Sequence, residues 1–377
     1  MDLGFSEPQE MLRKMARDFL EKECPKTLVR ELQESEPGHS PDLWRQMAEL
    51  GWQGLPFPEK YGGGECDLID LTLLLEEMGR AVLPSPFVST VVLCGLAILE
   101  AGTEEQKQQF LPQIAKGEMI LALAWTEQNA GYDAASIQVG ATPSQDGYLI
   151  SGVKLFVQDA HIADYLLVAA RTSQGSGPEE GISLFLVDAK SPGISCTPLN
   201  TIGWDRQNEV VFDKVLVPKA NILGKPEQGW AQVRGIMELG VLAQCALMVG
   251  EAQQALEMSV EYAKQRIQFG RPIGAFQAIQ HRCADMVTDV DASRVMTYYA
   301  AWKLSQGGPC ALDISHAKAW VSEACNRVLG GAHQIGGGIA CTTDSDVHLF
   351  SQRVASQALL FGDTNFHRKL VAEELEL

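Results

Sequence analysis

The chain has little basic charge and its cysteines form no paired motifs. Its 377 residues include 48 acidic and 30 basic side chains, so the formal net charge is -18. Nucleic acid and anionic membrane surfaces attract a basic excess, so this balance argues against both as partners. The nine cysteines are scattered without CxxC pairs. This pattern is typical of small buried residues in a reducing compartment and not of a disulfide framework or a metal site.

The sequence also lacks the usual targeting and membrane-spanning patterns. The N-terminus, MDLGFSEPQE, is acidic, and we find no apolar run that approaches the roughly 20 residues needed to cross a bilayer. No GxGxxG follows a predicted strand, which excludes a doubly wound nucleotide fold. Hydrophobic residues make up 46% of the chain and charged residues 21%. We therefore expect a soluble globular protein of the cytoplasm.

Three regions differ in their patterning. Residues 1–117 and 226–377 have helical periodicity, with capping boxes predicted at Ser6 and Thr103. Residues 118–225 are rich in β-formers separated by turns, which predicts a small antiparallel sheet domain. The predicted fold is therefore mainly α with a central β domain. Its strands are predicted at four segments: YLISG (148–152), YLLVAAR (165–171), ISLFLVD (182–188) and VVFDKVLV (210–217).

The most informative segment is YAKQRIQFGRPIGAFQAIQHRCADM (262–286). Gly270 and Pro272 predict a break between two helices, because glycine can end a helix in a left-handed conformation and proline cannot continue it. The break presents Arg266 and Phe269 together. A guanidinium suits a phosphate and an aromatic ring suits stacking, so this turn is suited to a flat, anionic ligand, although an ordinary helical turn with a solvated arginine has the same spacing.

This segment contains the motif Arg-x-x-Phe-Gly-x-Pro-Ile-x-x-Phe-Gln-x-Ile-Gln, which closely resembles a motif of the acyl-CoA dehydrogenase flavoprotein family. Further family-like motifs occur in the expected order and cover nearly the whole chain. They are LPFPEKYGGGECDLIDLTLLLEEMGR (55–80), ALAWTEQNAGYDAASI (122–137), GYLISGVKLFVQDAHIADYLLVAAR (147–171), VVFDKVLVPKANILG (210–224) and AHQIGGGIA (332–340).

The resemblance implies an N-terminal helical domain (1–117), a middle β-barrel or sandwich (118–225) and a C-terminal four-helix bundle (226–377). It also implies FAD as the cofactor, shared between subunits of a homotetramer or of an α2β2 heterotetramer with a paralogous chain. An electron-transferring flavoprotein is the implied electron acceptor. The positions that the resemblance assigns to the cofactor are Trp125, Thr126, Phe156, Gln158, Arg266, Phe269, Gln277, Gln334, Gly337, Gly338 and Thr364.

Family members remove an α-proton and a β-hydride from an acyl-CoA thioester. The hydride passes to flavin N5, and a carboxylate in an apolar site accepts the proton. Most members carry this glutamate near the C-terminus, where the present chain has LLFGDTNFHRKLVA (359–372), so the position falls on Phe361 or Gly362. A minority carry it on a preceding helix, where the position falls on Gly240. The chain therefore resembles a divergent member that lacks the usual catalytic glutamate.

Three hypotheses for the base follow. In the first, Asp363 is the base: it is the nearest carboxylate to the expected position, and a bulge in its loop would bring it there. An aspartate here is also a favoured helix cap. Alternatively, the chain is one subunit of a heteromer in which a paralogous partner supplies the carboxylate at its own site, and Arg266 and Gln334 of this chain hold the partner's FAD. The third hypothesis is Glu238 on a rearranged helix, although it lies about 200° around the helix from Gly240.

Substrate contacts are expected at three positions. Tyr132 replaces a small family residue near the thioester path, and Gly240 and Gly362 leave both base positions without side chains, which suggests room for a bulky or cyclic acyl group. Two other classes stay open: a flavin-free structural member of the fold, and an oxidase or monooxygenase on the same fold.

Overall fold

The computed structural model describes residues 4–175 and 177–376. Six α-helices form the N-terminal part. A π-helical segment, Val88–Gly95, directly precedes the fifth of them. The six helices are α1 (Glu7–Glu23), α2 (Lys26–Glu34), α3 (Pro41–Glu49), α4 (Leu68–Ala81), α5 (Leu96–Ala101) and α6 (Glu104–Ala115).

Polar caps begin these helices as the sequence predicts. Ser6 and Gln9 form a capping box at α1, in which each side chain bonds to the backbone N–H of the other residue. Thr103 and Gln106 do the same at α6. Both boxes satisfy backbone donors that a helix start leaves without partners.

The middle of the chain forms one eight-stranded sheet, with strand order β6-β7-β3-β2-β4-β5-β8 and with β1 beside β4. All four predicted strands are present, within β3, β4, β5 and β7. The sheet is not purely antiparallel, because β1 and β2 both pair with β4 in parallel. The strands are β1 (Leu121–Ala124), β2 (Gly140–Pro143), β3 (Gly147–Gln158), β4 (Tyr165–Arg171), β5 (Ile182–Asp188), β6 (Ile194–Leu199), β7 (Gln207–Pro218) and β8 (Ile222–Leu223).

Helices and one hairpin complete the chain. The hairpin of β9 (Ile267–Gln268) and β10 (Arg271–Pro272) separates the first two helices. The helices are α7 (Trp230–Gln265), α8 (Gln277–Ser305), α9 (Ala311–Gly336), α10 (Val347–Gln357) and α11 (Thr364–Glu374). The predicted class, mainly helical around a central sheet, is confirmed.

Helix α7 is long and apolar enough to cross a membrane by length and composition, which the sequence analysis did not anticipate. Its most apolar 18-residue window is 67% buried inside the protein. It packs along α4 and α9. Burial of this kind is that of a core helix in a helical bundle.

Two apolar cores lie on opposite faces of the sheet. Leu167 and Leu184 join the large core of the helical domains, whereas Val168 and Phe185 belong to a second core within the β domain. Side chains of a strand alternate between faces, so strands covered on both sides are apolar throughout. The sheet is therefore held firmly against the helical domains, and strands β1 and β3 position the candidate site.

The cysteines differ in part from the prediction. All nine are free, and Cys24, Cys94, Cys245, Cys310 and Cys325 are buried as expected. Cys196 and Cys341 are exposed. The prediction of uniformly buried cysteines is therefore wrong for these two.

Candidate active site

A buried ion pair fixes the end of strand β1, where Trp125 and Thr126 emerge. The Lys154 ammonium lies 2.7 Å from Glu127 Oε1 and donates to the Trp125 carbonyl at 3.0 Å. Lys154 is fully buried, which lowers the pKa of its ammonium to about 8. Glu127 also accepts backbone N–H groups of Gln138 and Val139. A buried pair with these additional hydrogen bonds holds the segment in one geometry.

Strand β3 brings the second predicted segment to the same place. An irregularity in its pairing with β7 lies between Lys154 and Val157, and Phe156 within it has a left-handed φ of 57°. Its ring is 46% exposed. A bulge of this kind redirects a side chain out of the strand plane. Phe156 and Gln158 thereby line one cavity together with Trp125 and Thr126.

This cavity, which we call the flavin-side cavity, has a volume of about 300 Å³. Tyr132, for which a substrate contact is predicted, also lines it. Its hydroxyl donates to the Leu359 carbonyl at 3.1 Å, and its ring packs between Trp125 and Phe366 at centroid distances of 5.6 and 5.0 Å. Tyr132 therefore ties the β domain to the loop between α10 and α11.

The opposite wall is apolar and consists of Leu359, Leu360 and Phe361. Phe361 has a φ of 58°, an uncommon conformation for a non-glycine residue that the surroundings must maintain. His367 provides part of that support, because its Nε2 lies 3.0 Å from the Phe361 carbonyl and its Nδ1 lies 3.2 Å from Ser315 Oγ. Burial lowers the pKa of His367 to about 4, so the imidazole is neutral.

The two positions expected to lack side chains do not leave space. A Cβ placed on Gly240 would lie 2.7 Å from the Phe361 ring. A Cβ on Gly362 would collide with Phe366 and lie 2.9 Å from His367 Nε2. The prediction that these glycines open room for an acyl group is wrong, because aromatic rings from neighbouring positions already fill both places.

Asp363 is placed as a helix cap. Its Oδ1 accepts the backbone N–H of Phe366 at 2.8 Å at the start of α11. Asp363 and Thr364 line a separate surface hollow with Asn326. The structure therefore brings neither residue into the flavin-side cavity, which favours the capping role that the sequence allowed for Asp363.

Glu238 faces away from the cavity as well. The Cys310 thiol lies 3.8 Å from its Oε2 at the start of α9. Burial raises the pKa of the Glu238 carboxyl, and nearby Arg234 opposes that shift. The direction in which the Glu238 side chain points agrees with its expected offset around the helix from Gly240.

The other predicted cofactor positions lie in two places outside this cavity. Arg266 and Phe269 are exposed on the β9–β10 hairpin, where Phe269 is 92% exposed and has a φ of 52°. Gln277 begins α8 just beyond this hairpin. An aromatic ring this exposed is expected to contact another molecule.

The second of these two places is the turn that follows the end of α9. Gln334 lies in its last turn, and Gly337 and Gly338 come directly after it. Gly337 has a φ of 61°, and neither glycine has another atom within 4 Å of the place a Cβ would take. The turn is therefore open to close approach by a ligand or a second chain.

The sequence analysis missed a second, adjoining cavity of about 70 Å³, which shares Ser89, Gln158, Ser356 and Leu360 with the first. Asp159 and Glu251 line it, and burial raises their pKa values to about 7 and about 8. A signal was present, because Glu251 is an acid in an apolar stretch, LMVGEAQQAL (247–256). An acid in such a stretch is worth examining as a site residue.

The flavin-side cavity suits a flat, partly polar group. The Trp125 and Phe156 rings line it beside the Thr126 hydroxyl and the Gln158 amide. Within the described residues, these last two side chains make no hydrogen bond to protein, so they are available to a ligand. Such a constellation, between the β domain and the C-terminal helices, is suited to bind the flat redox cofactor of an oxidoreductase.

Comparison with known proteins specifies this class. The acyl-CoA dehydrogenase N-terminal, middle and C-terminal domain models match residues 6–118, 122–215 and 227–376. A probable acyl-CoA dehydrogenase of Bacillus subtilis, YngJ, is 34% identical over all of both chains. The CarC subunit of the caffeyl-CoA reductase-Etf complex of Acetobacterium woodii is 36% identical over 89% of each chain. Butyryl-CoA dehydrogenase of Megasphaera elsdenii superposes with a TM-score of 0.94, 31% identity and full coverage of both chains.

The chain belongs to the acyl-CoA dehydrogenase family. It is an FAD-dependent oxidoreductase that acts by dehydrogenation at an acyl-CoA.

Proposed function

We propose that this chain is one subunit of a heteromeric acyl-CoA dehydrogenase in which a paralogous partner supplies the proton-accepting carboxylate. One observation carries the proposal: the wall where the family places its base is built from Leu359, Leu360 and Phe361. Among the described residues that line the flavin-side cavity, none is an aspartate or a glutamate.

The chemistry needs such a group. The α-proton of a thioester is only weakly acidic, so a positioned carboxylate must accept it. In this chain the Phe361 ring fills the space above Gly240, and the Asp363 carboxylate caps α11. FAD, when bound, supplies the acceptor for the hydride. The residues of this chain bind and orient, since Thr126 and Gln158 offer hydrogen bonds and Tyr132 joins the two walls.

The assembly that follows is an α2β2 heterotetramer. The hairpin with Arg266 and Phe269 and the open turn at Gly337 and Gly338 are the surfaces that would complete a cofactor site in a neighbouring subunit. Their exposure supports this role. An electron-transferring flavoprotein is the proposed acceptor, supported by the relative named as a subunit of an Etf complex. We place the complex in the cytoplasm.

We also propose that the acyl group is bulky or cyclic, and the support now comes from the cavities and not from the two glycines. The two glycines provide no space, but the two adjoining cavities together extend from the flavin-side wall to helix α7. Room for the acyl group therefore lies along α7, on the side of Gln244 and Leu247.

The test compares the chain alone with its assembly. Tagged protein is purified from its native source, any paralogous chain is identified by mass spectrometry, and both are then produced separately and together. We expect acyl-CoA to bleach the flavin anaerobically in the mixed protein only, and removal of the partner's carboxylate to abolish bleaching. Full activity of the chain alone, abolished by Asp363→Asn, would overturn the proposal in favour of a homomer with Asp363 as base.

A further inference from the structure

The smaller cavity beside the flavin-side cavity is polar, which is unusual for a place that receives an acyl chain. We call it the polar chamber and define it by Ser85, Asp159, Glu251, Arg353 and Gln357. Asp205, Arg206, further polar residues and several apolar residues complete its lining. Its volume of about 70 Å³ exceeds that needed for a single water. It shares part of its lining with the flavin-side cavity, so one acyl group can reach both.

Within the described residues, four polar atoms of the chamber's lining have no hydrogen-bond partner. One is a donor, Arg206 Nε, and the others are Ser85 Oγ, Glu251 Oε2 and Gln357 Oε1. Glu251 is 1% exposed and Gln357 is 6% exposed. The Gln357 amide donates to Glu251 Oε1 at 3.0 Å, which fixes both side chains and leaves the other oxygen of each free. Buried polar groups are costly without partners, so a ligand group or water must satisfy them.

The charged residues of the chamber restrict what that ligand group can be. Asp205 is already satisfied by Thr201, Gln207 and Ser356, and Asp159 accepts the Ser89 hydroxyl at 2.5 Å. Within the described residues, Arg353 donates one hydrogen bond, to the Leu83 carbonyl at 3.2 Å, and its charge also acts on Asp159 and Glu251. A ligand ammonium would face this guanidinium. A ligand carboxylate has no proton to donate, so it would leave Gln357 Oε1 without a partner.

A neutral hydroxyl meets neither penalty. It donates its one proton to Gln357 Oε1 and accepts a hydrogen bond from Glu251 Oε2 when that acid is protonated. Burial raises the pKa of Glu251 to about 8, so near neutral pH the acid is mainly protonated and can donate. A hydroxyl therefore suits both free oxygens at once.

We infer that the acyl group of the substrate carries a hydroxyl on its distal part, which the polar chamber binds through Glu251 and Gln357. The inference rests on the proposed acyl-CoA function, because it assumes that the acyl group extends from the flavin-side cavity along α7. It adds a substrate class, hydroxylated acyl thioesters, and names the two residues that select it.

The experiment uses the FAD-loaded protein, in its mixed assembly where that forms. Hexanoyl-, octanoyl- and decanoyl-CoA are compared with their ω-hydroxy counterparts and with adipyl-CoA, which ends in a carboxylate. Binding is followed by calorimetry and by the flavin spectrum. For the chain length that reaches the chamber, we expect the hydroxyl to strengthen binding at least about tenfold, as a well-placed hydrogen bond does.

Variants test the two residues. Glu251→Leu and Gln357→Leu are each expected to reduce the hydroxyl preference about five- to tenfold, whereas Glu251→Gln keeps hydrogen bonding and most of the preference. Gln53→Leu is the matched control, since Gln53 is also a buried glutamine with an unpartnered amide oxygen but lies outside the chamber. It is expected to leave the preference unchanged.

The outcomes separate the inference from the proposed function. Tighter binding of the unsubstituted or the carboxylate-bearing thioesters overturns the hydroxyl inference and leaves the acyl-CoA function in place. An equal loss of preference in Gln53→Leu and Gln357→Leu also overturns it, because the effect would then be one of stability. If no thioester binds or perturbs the flavin spectrum, the proposed function fails and the inference fails with it.

Discussion

The two walls of the flavin-side cavity are built differently. On the β-domain wall, a buried ion pair between Lys154 and Glu127 fixes Trp125 and Thr126, and polar groups face the cavity. On the helical wall, Phe361 sits on Gly240 with a left-handed backbone held by His367. One wall presents hydrogen-bonding groups to a cofactor. The other presents hydrocarbon where a proton must be accepted.

This difference separates two tasks that a family member usually combines in one chain. Cofactor binding needs fixed donors and rings, and the first wall provides them. Proton abstraction needs a carboxylate at one place, and the second wall fills that place with an aromatic ring. This division is the basis for proposing that the first task belongs to this chain and the second to a paralogous partner.

The largest expected effect comes from returning a carboxylate to the helical wall. Phe361→Glu should give the chain, without any partner, substrate-dependent flavin bleaching about 10²–10⁴-fold faster than Phe361→Gln, which is the typical contribution of a general base. The measurement is stopped-flow reduction per bound flavin, with straight-chain and cyclic acyl-CoAs. Phe361→Gln is the matched control because it has the same size and polarity without a titrating group.

Equal rates for these two variants, with flavin bound in both, would mean that residue 361 does not face the reacting carbon. The contrast between the two walls would then concern packing alone.

The support of the helical wall should depend on pH. Burial lowers the pKa of His367 from 6.5 to about 4, so between these values the unfolded chain binds a proton that the folded chain does not. His367 is therefore expected to contribute a slope of its own: the free energy of unfolding falls by about 3 kcal/mol as the pH drops through this window, and this group has no effect above it. The buried acids Asp159 and Glu251 contribute with the opposite sign, because folding raises their pKa values, so the His367 slope is the difference between wild type and a His367 variant. Chemical denaturation across the range measures it.

His367→Gln should remove most of that slope. His281→Gln, which replaces an exposed histidine on α8, should keep it. A wild-type slope in His367→Gln would show that other groups determine the acid sensitivity.

The β-domain wall was far easier to predict from sequence than the helical wall. Trp125, Thr126, Phe156 and Gln158 are implied by the family resemblance, and they do line one cavity. The helical wall depends on a contact between Phe361 and Gly240, which are far apart in sequence. Absence of a side chain at Gly240 suggested space, but only the fold reveals which neighbour fills it.

The fold shows the same contrast between local signals, which the sequence displays, and contacts between distant segments, which it does not. Local signals such as the Ser6 and Thr103 caps and the apolar strands β4 and β5 were sufficient for their elements. The parallel pairing of β1 with β4 was not predictable, because it joins segments whose register is set by packing on α-helices and not by a hairpin turn. The polar chamber was missed for a similar reason, since it combines residues from four separate parts of the chain.

A smaller effect on FAD binding is expected at the exposed β9–β10 hairpin, which lies outside the flavin-side cavity. Arg266→Ala should weaken FAD retention about tenfold or more, because a charge-assisted hydrogen bond to a phosphate is lost while alanine remains compatible with the helix end. Arg271→Ala is the control on the same hairpin, since its guanidinium stacks 4.2 Å from the Phe276 ring centroid. Flavin content after gel filtration measures both. Equal retention in the two variants would contradict the role of Arg266.

The smallest effect is expected at Asp363, and it decides between the two roles of that residue. As a cap for α11, Asp363→Ala should lower the free energy of unfolding by about 1 kcal/mol, because the Phe366 N–H loses its acceptor. Asp363→Asn should keep most of that stability, since asparagine is an equally favoured cap. Neither change should alter flavin reduction per assembled site. If Asp363→Asn instead keeps full stability and loses about 10²–10⁴-fold in reduction rate, Asp363 accepts the proton, and this chain carries both tasks itself.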